Sequence, residues 1–122
     1  MNIWQFETAQ FRVTVHTLPC DDLDLSWDED GEVRAKLGTG EFEAFDVHAT
    51  CIHLPSGVHG DSYLGGCIYA DPREFRDNVG MRVKSRRDGC YYGSYFSDLV
   101  HECIADCRRS VAAVQNIRIR AA

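Results

Sequence analysis

The chain has no apolar run of membrane-spanning length, no internal repeat, no low-complexity segment and no linker, and only three prolines among its 122 residues. A transmembrane helix needs about 20 consecutive apolar residues, so none is expected. The length and the missing linker predict a single domain over residues 1–122. Neither glycine-bearing stretch, Gly65-Gly66-Cys67 nor Tyr92-Gly93-Ser94, ends in Gly-Lys-Ser/Thr, which excludes an ordinary phosphate-binding loop. The opening Met1-Asn2-Ile3-Trp4-Gln5-Phe6-Glu7 has no basic region followed by an apolar core, and this predicts a cytoplasmic, reducing location. In that setting the six cysteines read as thiols, with Cys51 and Cys67 as small buried hydrophobes in apolar runs.

Positive charge is scarce in the first half. Residues 1–61 hold twelve acidic residues and three Lys/Arg, whereas residues 62–122 hold seven and ten, within a formal net charge of −6. The acids concentrate in Asp21, Asp22, Asp24, Asp28, Glu29, Asp30 and Glu32. Two readings stand: a solvated connection between strands, or a patch that steers a basic partner. Direct nucleic-acid binding would use Arg82, Lys84, Arg86 and Arg87, with Tyr91 and Tyr92 for stacking, and the global charge opposes it.

Alternation of Phe11, Val13, Val15 and Thr17 with Arg12, Thr14, His16 and Leu18 predicts a strand, joined to a first one by Thr8-Ala9-Gln10 and closed by Pro19. Leu23, Leu25 and Trp27 among the acids fit an irregular edge strand. Asp30-Gly31 marks a turn before Glu32–Leu37, and Gly38-Thr39-Gly40 a second turn. Residues 41–54 form the longest strand candidate, long enough to require a bulge or bend. Residues 55–60 read as a loop, followed by a turn at Gly65-Gly66 and a short strand over Cys67–Tyr69. Asp71-Pro72-Arg73-Glu74 is a helix start that aims Phe75 at the core.

The last helix is expected to begin at Tyr95, with Ser94 as its cap and Asp98 in the first turn. Its apolar stripe is Phe96, Leu99, Val100, Cys103, Cys107, Val111 and Val114; it is expected to end at Asn116, before a short strand or tail at 117–120. The fold class is therefore α+β: a twisted, mainly antiparallel sheet packed against a long C-terminal helix, with a short additional helix.

No motif spells catalysis. Cys103 and Cys107 share a helix face, but His101 lies about 200° from Cys103 around the helix, and paired zinc-cysteine spacing is absent. No metal or cofactor is expected. Cys90, flanked by Arg86, Arg87 and glycines, is the nucleophile a small thiol or acid–base enzyme would use, with His101 as its base. His48, His53 and His59 read as ordinary satisfied histidines. Tyr91, Tyr92 and Tyr95 suit either a sheet–helix junction or an interface.

Three stretches carry a resemblance over roughly the second half of the chain: Gly65-Gly66-Cys67-Ile68-Tyr69, Asp71-Pro72-Arg73-Glu74-Phe75 and Tyr92-Gly93-Ser94-Tyr95-Phe96-Ser97-Asp98-Leu99-Val100. They resemble small accessory proteins of phages and mobile elements. The resemblance implies an inhibitor of a host defence system, such as an anti-CRISPR protein, and brings no catalytic residue with it. The expected function is accordingly a non-enzymatic, acidic protein-binding regulator that covers a basic surface of a nucleic-acid-binding protein. Its expected contact residues are Asp21, Asp22, Asp24, Trp27, Asp28, Glu29, Asp30, Tyr91, Tyr92 and Tyr95.

Overall fold

The computed structural model describes residues 1–77, 83–84, 91–92 and 95–121. Strands β1 (Asn2–Glu7), β2 (Phe11–Pro19), β3 (Glu43–His53) and β4 (His59–Tyr69) form one antiparallel sheet in the order β1-β2-β3-β4. Helix α1 (Glu32–Thr39) lies between β2 and β3, and the short α2 (Glu74–Asp77) follows β4. A two-residue pair, β5 (Val83–Lys84) with β6 (Tyr91–Tyr92), precedes the long α3 (Tyr95–Ala121). No helix among the described residues is long and apolar enough to cross a membrane.

The alternation in β2 does what its period requires. Val13, Val15 and Thr17 are buried, opposite Cys51, Ala49 and Val47 of β3. Leu99, Val100, Cys103 and Cys107 of α3 are buried with them, and Phe75 of α2 fills one end. Trp4 of β1 meets Phe96 edge-on, with ring centroids 5.3 Å apart. Gly60 sets the closeness of the helix to the sheet. A Cβ there would collide with the backbone of Cys103, Asp106 and Cys107, so α3 lies directly against β4. At the same edge, Asp61 N–H donates to Asp106 Oδ2 (2.9 Å) and Ser62 Oγ to Glu102 Oε2 (2.9 Å).

Four expectations are corrected. The acidic segment is not an edge strand; it runs as turns held by its own side chains. Residues 32–39 are helical. Asp28 accepts the amides of Val33 (3.3 Å) and Arg34 (3.0 Å), which supplies the capping that makes a helix with no buried residue possible. β4 starts at His59 and continues through Gly65-Gly66, because the ladder to β3 absorbs the pair as an irregularity. There Phe45 pairs with Cys67 and Val47 with Leu64, leaving Asp46 opposite both glycines; Asp46 Oδ1 accepts the Gly66 amide (3.0 Å), and Gly66 has φ +70. Finally, α3 does not stop at Asn116 but continues to Ala121.

Candidate functional site

The expected contact residues separate into three groups. Asp28 is 9% exposed, and its carboxylate is occupied by α1; the Arg34 amide above all holds its pKa below the ordinary carboxylate value. Asp24 accepts the Ser26 amide (2.9 Å), which lowers its pKa, while Asp30 accepts the Glu32 amide (3.1 Å). These three shape the loop, although Asp24 and Asp30 stay exposed. Asp21, Asp22 and Glu29 are exposed as well.

Trp27 is fixed by its indole N–H, which donates to Asp24 O (2.9 Å), and the residue remains 58% exposed. It overlooks a hollow of about 430 Å³ with Asp22, Asp24 and Asp46 in its walls. A second hollow, of about 560 Å³, is walled by Phe42, Leu64, Tyr69, Glu74 and Tyr95. Gly65, Gly66 and Ile68 belong to both. Trp27 and the 46%-exposed Tyr95 thus flank one strip of β4. Tyr91 and Tyr92 form β6; Arg82, Arg86, Arg87, Cys90, Gly93 and Ser94 lie outside the described residues, and Lys84 is placed in β5. His101 is exposed on α3.

One constellation escaped the sequence reading. On the sheet face turned away from α3, His16 pairs with His48, Thr50 with Asp61 and His48 with Tyr63 across three adjacent strands. His48 Nε2 lies 2.7 Å from Asp61 Oδ1, and His59 Nδ1 lies 3.0 Å from Oδ2. A carboxylate only accepts, so both imidazole nitrogens carry the proton, and Thr50 Oγ adds a third donor at 3.2 Å. The other nitrogen of His48, Nδ1, lies 3.1 Å from His16 Nε2. Tyr63, 68% exposed, stacks on His48 with centroids 4.2 Å apart.

The electrostatics follow from these partners. Burial alone would raise the pKa of Asp61, but hydrogen bonds from His48, His59 and Thr50 outweigh it and hold the pKa below the ordinary value. Burial, reinforced by His48 and the amino terminus, lowers that of His16. The arrangement is a chain of hydrogen-bonded partners that runs from His16 through His48 and Asp61 to His59. It is not a convergent ligand set, because His48 uses opposite ring nitrogens, and among the described residues no group of three or more His, Cys, Asp or Glu is placed to hold a metal ion.

The buried thiols have a different character. Cys51, Cys67 and Cys103 have their pKa values raised chiefly by desolvation, to about 11 for the latter two. They are protonated packing groups rather than nucleophiles. Comparison of the chain with protein-family models, curated proteins and solved structures found no match.

Proposed function

We propose that this chain is a small acidic binding protein that regulates a protein partner by covering a basic surface, as an inhibitor of a nucleic-acid-binding protein would. The observation that carries the reading is the shared wall of the two hollows, Gly65, Gly66 and Ile68, which sets Trp27 and Tyr95 on either side of a single strip. Exposed aromatic anchors beside carboxylates match the division of labour in an interface. The rings supply desolvated contact, and Asp21, Asp22, Asp24 and Glu29 steer approach. Asp28 is left out because it is buried under α1.

The test is affinity capture from a native cell extract with the wild type and a Trp27→Ala/Tyr95→Ala variant, followed by kinetics on the captured partner. An anchor of this kind contributes about 2 kcal/mol or more, so the double variant should lose at least roughly 30-fold in affinity, mostly through faster dissociation. An Asp21→Asn/Asp22→Asn/Glu29→Gln variant should instead associate more slowly, with a flatter salt dependence. Unchanged capture by the first and unchanged association by the second would reject this surface.

A further inference from the structure

The cluster on the open sheet face does not converge on one point as a whole, but two of its nitrogens do. His16 of β2 and His48 of β3 are direct cross-strand partners, so their side chains leave the sheet side by side. His16 Nε2 and His48 Nδ1 stand 3.1 Å apart, with the ring centroids 4.6 Å apart and the ring planes at 71°. Two nitrogens bonded to one ion at about 2.0–2.1 Å stand about 2.9 Å apart at a right angle and about 3.3 Å apart at the tetrahedral angle. The spacing of this pair lies between those limits. Asp61 sets the orientation of one ring: its Oδ1 accepts His48 Nε2–H (2.7 Å), which leaves Nδ1 as the lone-pair nitrogen of the neutral imidazole. A carboxylate behind the ring, on the nitrogen remote from the metal, is the usual support of a metal-binding histidine and raises the basicity of the ligating nitrogen.

We infer that His16 Nε2 and His48 Nδ1 form a two-histidine site for a late first-row divalent ion such as zinc, with water in the remaining positions. Imidazole nitrogen suits zinc, copper and nickel, whereas magnesium and calcium take oxygen. Coordination requires His16 to carry its proton on Nδ1, a change of tautomer with no change of charge. Burial and the nearby His48 lower the His16 pKa, so protons compete less for that ring. Both rings are partly buried, and Tyr63, stacked on His48 with centroids 4.2 Å apart, holds the plane of the second. Among the described residues no third His, Cys, Asp or Glu completes the set, so the site is an open one of modest affinity. Neither Trp27 nor Tyr95 takes part, and the inference stands apart from the partner proposed above.

Zinc is titrated into the reduced, ¹⁵N-labelled protein, with magnesium as the control, and the imidazole nitrogens are followed by NMR. Zinc should move His16 Nε2 and His48 Nδ1 first and saturably, while His48 Nε2 keeps its proton; magnesium should move neither. His16→Gln and His48→Gln should each weaken zinc at least about tenfold, the lower end of what loss of even a supporting partner costs a metal site. His101→Gln, on the exposed side of α3, should leave the affinity unchanged. The wild-type spectrum assigns the ligating nitrogens by itself, so a variant that folds poorly does not decide the outcome. No saturable shift at His16 and His48, earlier saturation at His53, His59, His101 or the cysteines, or wild-type zinc affinity in a folded His16→Gln protein would overturn the assignment.

Discussion

The two faces of the four-stranded sheet come from one alternating pattern and carry opposite chemistry. Toward α3 lie Val15, Val47, Ala49 and Cys51, fully buried against Cys103 and Cys107. Away from it lie His16, His48, Thr50, Asp61 and Tyr63, linked by hydrogen bonds and ring stacking. The inner face is held by removal of apolar surface from water, which is non-directional and tolerant of which neighbour does the burying. The outer face depends on donors meeting acceptors, and a one-residue slip of register would dissolve it. The same backbone thus supports a forgiving layer and an exacting one.

The sharpest way to break the inner layer is Gly60→Val. Its side chain has nowhere to go but the backbone of α3, so the cost should reach or exceed ~3 kcal/mol, read from urea unfolding as a lower midpoint. A variant as stable as the wild type would mean that α3 does not rest on β4. On the outer layer, Asp61→Asn removes the charge and turns one of the two oxygens that accept from His48, Thr50 and His59 into an NH2 donor, which should cost about 1–3 kcal/mol, with altered His48 and His59 imidazole resonances. No cost there would reduce the chain of partners to ordinary surface contacts.

Acid should also act on the outer layer first. The folded state depresses the pKa of His16 below its ordinary 6.5, so as the pH falls below that value the unfolded chain takes up the proton before the folded one. The stability from neutral His16 is therefore complete above about 6.5 and is lost as the pH falls through the folded value. Asp61, also depressed, holds its contribution down to about 3.8 and loses it below. Unfolding measured against pH should show these two windows, and His16→Gln should abolish the upper one alone. The smallest expected effect is Gly38→Ala in α1, where a Cβ meets nothing within 4 Å and helix propensity should add about 0.5–1 kcal/mol.

Legibility followed the same division. The Val13-Val15-Thr17 alternation and the Leu99–Cys107 stripe could be read because each repeats within one element, where the period of the backbone alone decides which residues share a face. Helix α1 could not, since it buries no residue and depends on Asp28, whose carboxylate reaches Val33 and Arg34 across the Gly31 turn. The first half of β4 is hidden by its glycines, which look like breakers although Gly60 pairs with Cys51 and Gly65-Gly66 are absorbed in the ladder irregularity opposite Asp46. The open-face cluster was out of reach for the same reason. His16, His48 and Asp61 are ordinary alternate residues on three strands, and the one signal that joins them is the β3–β4 hairpin register, which the loop-like residues 55–60 and the Gly65-Gly66 pair conceal.

What the sequence determined by itself, then, was local: strand and helix periods, the acidic first half, and the α+β class that buries both apolar patterns. Tertiary structure decided everything that depends on two segments meeting. It tied Asp28 to the start of a helix, brought Trp27 and Tyr95 to one strip of β4, and buried the Tyr69 hydroxyl without a partner among the described residues. Apolar burial needs only a pattern, whereas a polar contact needs a position within about 3 Å, and position is fixed only when the strands are in register.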